Sequence, residues 1–259
     1  MRIDVFLTEN GYVSSRKRAQ DLIASGCVTV DGKIVPKPSY QIEEGEHEIV
    51  IENDLAYVSR GGLKLEAALD CFLPDIKGLV ALDIGASTGG FTHCMLSRGA
   101  KKVFAVDSGY GQLAKELRED SRVISMERFN ARNLSPTDLG GERVDLIVMD
   151  VSFISATYII PNFKALLKEN GHAICLIKPQ FEVGRAMLGK GGIVKDPKAH
   201  RAAVERVMAS GIASGLVPTG LIPSPVKGGD GNREFLICFS AEEGLEKSLT
   251  LDDIPKLLF

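Results

Sequence analysis

Asp83, Asp107, Asp150 and Lys178 each end an apolar run of this sequence. In an open parallel sheet a ligand lies beyond the carboxyl ends of the strands, so these residues at one edge predict a site and not four unrelated surface charges. Directly after Leu79-Val80-Ala81-Leu82 the chain reads Asp-Ile-Gly-Ala-Ser-Thr-Gly-Gly-Phe, residues 83–91. Gly85, Gly89 and Gly90 remove side chains where a ligand would press on the backbone, with Ala86 and Ser87 completing the turn. Ser87 holds the place of the second glycine in a dinucleotide fingerprint. The spacing therefore predicts an adenosine ligand without a pyrophosphate, and S-adenosylmethionine is the obvious one. Asp107 ends the second strand, where an acid accepts hydrogen bonds from ribose hydroxyls. Asn130 and Ala131 either border the adenine or simply begin a helix. Phe91 packs on the ligand or on the sheet.

Lys178 follows Ile174-Cys175-Leu176-Ile177 and precedes Pro179, which predicts a buried approach ending at an extended residue. A lysine at the rim of an apolar pocket, near another cation, can lose its proton near neutral pH and act as a base. Lys64 supplies that cation if its helix packs across the sheet edge. Glu234 opens the last apolar strand, and if that strand is antiparallel Glu234 joins Lys64, Asp150 and Lys178 in one cluster.

Two sets of elements position these residues. Residues 1 to about 52 read as a helix–helix–hairpin unit. Val5, Phe6, Leu7 and Tyr12 fall in a first helix. Ser14 or Ser15 caps a second that carries Arg16, Lys17 and Arg18 and stops near Gly26. Val28-Thr29-Val30 and Ile34-Val35 flank the hairpin signal Asp31-Gly32, and 48–51 form a later strand. From about residue 79 strands alternate with helices, at 80–83, 102–107, 123–126, 144–150, 173–178, 218–222 and 234–239. This predicts a doubly wound α/β sheet with helices on both faces. Ser108 to Leu113 open a helix, and Asp196-Pro197 start a long one. The predicted domains are 1–56, a linker at 57–62, 63–245 and a tail at 246–259.

With 44% hydrophobic and 25% charged residues, the 259-residue chain has an ordinary globular composition. No apolar run approaches a membrane span, and no signal-peptide segment stands out. Five scattered cysteines and four dispersed histidines predict reduced thiols in a cytoplasmic protein and no metal site. The net charge of −3 neither indicates nor excludes nucleic acid, because local patches set the electrostatic footprint. Basic residues do cluster, at Arg16-Lys17-Arg18, at Lys33 and Lys37, and at Arg60 and Lys64. Residues 184–190 match most of a P-loop, but Gly191 stands where the magnesium-binding hydroxyl belongs. The loop at Gly189–Gly192 is either plainly flexible or touches RNA phosphate through Lys190.

The N-terminal run from the basic helix through Ala24-Ser25-Gly26-Cys27-Val28-Thr29-Val30-Asp31-Gly32 to Pro36-Lys37-Pro38 resembles the RNA-binding module named after the fourth protein of the small ribosomal subunit. That resemblance implies phosphate contacts from Arg16, Lys17, Arg18, Lys33 and Lys37. Segments 59–65, 83–91, 107–113, 148–155, 176–182 and 231–235 resemble the haemolysin-A-like (TlyA-type) ribosomal RNA methyltransferases. The later part is also similar to the RNA ribose 2′-O-methyltransferases of the cell-division heat-shock type. The resemblance implies a Rossmann-like S-adenosylmethionine-dependent methyltransferase sheet, mostly parallel with its last strand antiparallel, behind a small α+β RNA-binding domain. It implies methyl transfer to cytidine 2′-hydroxyls of RNA within a ribosomal subunit, with Lys64, Asp150, Lys178 and Glu234 as the catalytic set. Physically, Lys178 would take the hydroxyl proton, Lys64 would depress the lysine pKa, and the two acids would orient the lysines. No metal is required. The rival expectations are a non-catalytic RNA-binding assembly factor, a membrane-lytic protein and an NAD-dependent oxidoreductase, the last disfavoured by Ser87.

Overall fold

A computed structural model describes every residue except 25–26, 36, 44, 52–55, 229–230, 243, 246–247 and 259. The chain forms two compact units, Met1–Arg60 and Gly61–Phe259.

The first unit contains α1 (Ile3–Glu9), α2 (Arg16–Ala24), β1 (Val28–Val30), β2 (Lys33–Ile34) and β3 (Ile49–Ile51). Ser15 caps α2, its Oγ accepting the Arg18 amide at 3.2 Å. The predicted hairpin forms at Asp31-Gly32, both with positive φ (51° and 73°), the backbone that a two-residue turn between twisted strands needs. β1 is central, antiparallel to both neighbours. Ile3, Leu7, Leu22, Ile23, Val28 and Val30 make the core of this unit. The expected stop of α2 near Gly26, and Pro36 of the quoted run, lie outside the described residues.

The second unit opens with α3 (Gly61–Phe72), which starts two residues inside the expected 57–62 linker. There follow β4 (Val80–Ile84), α4 (Gly90–Ser97), β5 (Lys102–Val106), α5 (Lys115–Arg118), β6 (Val123–Met126), β7 (Val144–Met149), α6 (Phe163–Leu166), β8 (Leu167–Ile177), α7 (Pro179–Glu182), α8 (Pro197–Ala213), β9 (Val217–Pro223), β10 (Phe235–Ser240) and α9 (Ile254–Leu258). The sheet order is β6-β5-β4-β7-β8-β10-β9. β6, β5, β4, β7 and β8 run parallel, and β10 is antiparallel to β8 and β9. Phe235 pairs with Ile177, which sets Glu234 level with Lys178 at the carboxyl edge of β8.

Three expectations are corrected. Ser108–Leu113 is a loop and the helix waits until Lys115, because the Asp107 carboxylate binds the Gly109 amide and Gly111 has φ +67°. β8 starts at Leu167 and not at Ala173, since Leu167 pairs with Val144 before a register shift carries the pairing on to His172. The expected tail carries α9, whose Ile254 and Leu258 are buried in the main core. That core joins sheet residues such as Leu82, Ile147, Cys175 and Phe239 to Ala203, Val207 and Met208 of α8. Asp196 caps α8 as predicted, accepting the Lys198 amide at 2.9 Å.

Candidate active site

The carboxyl ends of β4, β5 and β7 border a cleft of about 730 Å³. Gly85 meets it for a reason internal to the chain. A Cβ there would lie 2.3 Å from the Asp150 carbonyl oxygen, so only glycine lets the turn after β4 pass the end of β7. Ser87 adopts the left-handed backbone that a glycine would take (φ +48°), and its amide donates to Asp107 Oδ2 at 2.8 Å. The Gly109 amide donates to Oδ1 of the same carboxylate at 2.7 Å. Asp107 is thus fixed at the rim by two backbone donors.

Gly85, Ser87, Asp107, Asn130, Ala131 and Asp150 all line the cleft, and Ala86 lines a small recess beside Asp107. Asn130 also caps the short 3₁₀ turn Ala131–Asn133, its side chain accepting the Arg132 amide. Asp83, Gly89, Gly90 and Phe91 are not among the lining residues. Gly89 caps α4 at φ +95°, where a Cβ would strike Leu117 and Leu113, and Phe91 is buried.

Asp83 is fully buried. Its Oδ2 accepts Thr92 Oγ1 at 2.6 Å and its Oδ1 has no hydrogen-bond partner in the protein. Burial, aided by the charges of Asp150 and Asp107, pushes the carboxyl up to about 7 against the bonds from Thr92. A carboxyl whose folded pKa exceeds its unfolded value binds more protons when folded, so stability falls as pH rises through that interval. Asp83→Asn is therefore expected to remove a loss of stability between about pH 4 and pH 7. Urea midpoints of both proteins at pH 5 and pH 8 check this, and parallel losses in the two would contradict it.

The four predicted chemical residues come together as two ion pairs. Lys64 Nζ donates to Glu234 Oε2 at 2.6 Å, both side chains buried. α3 lies against β9 and β10, which brings Lys64 to the sheet edge. Lys178 Nζ lies 2.5 Å from Asp150 Oδ1 and donates to Ser152 Oγ at 2.9 Å. Burial raises the Glu234 carboxyl, opposed by Lys64 and by the charge of Lys178. The expectation that the two acids orient the two lysines takes a specific form: Glu234 holds Lys64, and Asp150 holds Lys178.

Phe153 and Arg128 line the cleft without a role expected from the sequence. Phe153 lines the cleft, is 93% exposed and has φ +65°, a costly backbone for a bulky side chain. Its ring lies 5.4 Å from that of Phe181. Arg128 stacks on Tyr110 at 4.2 Å and Arg132 on Tyr158 at 5.2 Å.

The cleft suits an adenosylated sulfonium ligand by its apolar walls and its carboxylate acceptors. Ala131, Val151 and Ile154 offer apolar walls, Asp107 a ribose acceptor, and Asp150 an anion for positive charge. Among the described residues no group of histidine, cysteine, aspartate and glutamate side chains is placed to hold a metal ion. None of the described helices is long and apolar enough to cross a membrane. None of the five cysteines is in a disulfide.

In the first unit, buried Asp4 was also missed. Burial opposes its charge, but donors from Arg2, Gln20 and Arg16 hold its carboxyl well below the usual range. Arg16 is therefore engaged at 2.8 Å, and Arg18 donates to the carbonyls of Tyr57 and Val58. Lys17, Lys33 and Lys37 are exposed and Arg60 is half-buried; Lys190, in the second unit, is exposed.

Glycine turn, acidic strand ends and a seven-stranded sheet with one reversed strand define a Rossmann-like methyltransferase fold. The chain belongs to the FtsJ-like methyltransferase family, whose model matches residues 57–241, and it carries an S4 domain at residues 1–47. It is 42% identical over 237 residues to the 16S/23S rRNA (cytidine-2'-O)-methyltransferase TlyA of Mycobacterium tuberculosis, covering 91% of this chain and 88% of that one. It is 42% identical over 239 residues to Hemolysin A of Brachyspira hyodysenteriae, covering 92% and 99%. A solved structure of a candidate hemolysin from Streptococcus thermophilus superposes with a TM-score of 0.79 at 39% identity, covering 99% of this chain and 94% of that one.

Proposed function

We propose that this protein transfers a methyl group from S-adenosylmethionine to a ribose 2′-hydroxyl of ribosomal RNA, on a cytidine within a ribosomal subunit in the cytoplasm. The observation that carries the reading is the pair of lysine–carboxylate bridges, Lys178–Asp150 and Lys64–Glu234, at the edge of the cleft. A hydrolase or dehydrogenase needs neither pair there.

When bound, S-adenosylmethionine supplies a methyl group on a sulfonium, already a strong electrophile. The chain's task is to place a ribose oxygen and remove its proton. Lys178, after releasing a proton to solvent, accepts the hydroxyl proton on Nζ. Asp150 stabilises the ammonium so formed, and Ser152 Oγ fixes its direction. Lys64 holds a positive charge near the developing oxyanion, and Glu234 fixes Lys64. Asp107 holds the ribose of the methyl donor, with the turn at Gly85, Ala86 and Ser87 beside it. Exposed Lys17, Lys33 and Lys37, with Arg60 and Lys190, attract RNA phosphates; Arg16 and Arg18 chiefly brace the N-terminal unit.

Phe153 offers a free aromatic face for a nucleobase beside the reacting ribose. Stacking on such a face is worth about 1–3 kcal/mol per base. Phe153→Ala is therefore expected to raise KM for RNA about tenfold with little change in donor binding; an unchanged KM for RNA would contradict it. The function itself is tested by incubating ribosomal subunits and free ribosomal RNA with methyl-labelled donor and mapping the product by mass spectrometry. A new 2′-O-methylcytidine is the expected product. RNA binding without transfer would support the non-catalytic assembly factor, and methylation of a base would overturn the ribose assignment.

A further inference from the structure

We propose that Glu182 is a positioning residue for proton transfer, acting through Ser155 and Ala156; the inference rests on Lys178 being the base. Two short segments meet at the site: residues 150–156 leaving β7, and residues 178–182 leaving β8. They are joined three times. At the edge of the cleft, Lys178 Nζ holds Asp150 Oδ1 at 2.5 Å and Ser152 Oγ at 2.9 Å. Beside it the rings of Phe181 and Phe153 touch. Away from the solvent, Glu182 Oε2 accepts Ser155 Oγ at 2.5 Å and Oε1 accepts the Ala156 amide at 2.8 Å.

The third joint is the one able to set the first. Lys178 and Glu182 stand at the two ends of the single turn α7, with Pro179 at its first position, so they move as one body. That turn is tied to the 17-residue α8, because Arg206 Nη1 donates to the Glu182 carbonyl at 2.9 Å. The opposing segment is braced at its start, where the Asp150 amide donates to the Ile84 carbonyl at 2.9 Å, and Glu182 holds its far end. It passes through the strained Phe153 backbone, and the Phe153 ring is almost wholly exposed. Glu182 grips it two and three residues further on.

A carboxylate is a costly way to fill a core. Glu182 is only 4% exposed, and burial raises its carboxyl above the usual range despite the bonds from Ser155 and Ala156. An aliphatic side chain would fill the same space more favourably, yet could not aim two bonds at one loop. What the carboxylate adds is direction, and direction is what a base must have toward a hydroxyl.

The test uses the full chain, ribosomal RNA and labelled donor. Glu182→Ala is expected to lower kcat by roughly 30- to 100-fold, the scale of an ångström-sized misplacement, with KM for the donor unchanged. It is also expected to speed amide hydrogen exchange in 150–157. Glu182→Gln keeps an acceptor for Ala156, and its amide donates to Ser155 Oγ, whose hydrogen turns to Thr157 Oγ1, 2.7 Å away. That variant is expected to regain most of the lost kcat and the exchange protection. If Glu182→Ala merely unfolds, the glutamine variant decides: near-normal kcat with normal protection supports the role, and kcat as low as that of a destabilised protein overturns it. Lys178→Ala run alongside separates the two claims. An active Lys178→Ala overturns the base and this inference with it. An inactive Lys178→Ala beside a fully active Glu182→Ala overturns the inference alone.

Discussion

Replacing Lys178 by alanine is expected to lower methyl transfer about a thousandfold, within the range that a positioned general base contributes. Binding of S-adenosylmethionine should survive, because Lys178 is not among the residues that line the cleft. Folding should survive too: Asp150 keeps its backbone bond to the Ile84 carbonyl and retains contact with solvent once its partner is gone. The sharper variant is Lys178→Arg. A guanidinium can still pair with Asp150 and donate to Ser152, so it preserves the local charge, but it does not give up its proton at any ordinary pH. A base role predicts that arginine is as inactive as alanine. A purely electrostatic role predicts substantial recovery. Single-turnover rates with saturating donor, beside calorimetric donor binding, separate these outcomes.

Much of the site was legible because the residues that matter sit where strands stop. Asp107, Asp150 and Lys178 follow apolar runs whose direction in a parallel sheet is dictated by the helices between them. Glu234 was legible only conditionally, since its place depends on β10 running antiparallel; the Phe235–Ile177 register meets that condition. Which lysine pairs with which acid was not legible. The pairing depends on how α3 packs against β9 and β10, a tertiary contact with no sequence spacing attached to it. The glycines misled in part. Gly89, expected to leave space for a ligand, instead makes room for two leucines, whereas Gly85 lines the cleft and also clears the Asp150 carbonyl. Asp4 stayed hidden because an acid between Ile3 and Val5 in a short helix reads as an exposed position, whereas two of its partners, Arg16 and Gln20, lie 12 and 16 residues away on α2.

Breaking the Lys64–Glu234 pair from one side is expected to cost about 3–5 kcal/mol of stability, as removal of one partner from a buried pair does. In Lys64→Met the Glu234 carboxylate remains with no compensating charge at 2.6 Å. A Cβ at Gly228 would lie 2.4 Å from Glu234 Oε1, so backbone closes over the carboxylate on that side. The sign of the pH dependence follows. Burial already raises the Glu234 carboxyl, and losing Lys64 removes the largest opposing influence, so the folded pKa rises further above its unfolded value. The variant's deficit must then grow as pH rises and shrink toward acid, where the carboxyl is protonated in both states. Adding Glu234→Gln removes the uncompensated charge while keeping the shape that fits beneath Gly228. The double variant is expected to recover most of the lost stability and still fail to transfer methyl groups, because the cation near the reacting oxygen is gone. Denaturant midpoints at pH 5.5 and pH 8, with transfer assays on the same preparations, distinguish a pair kept for chemistry from one kept for the fold. Full activity in the stable double variant would mean that the pair serves the fold alone.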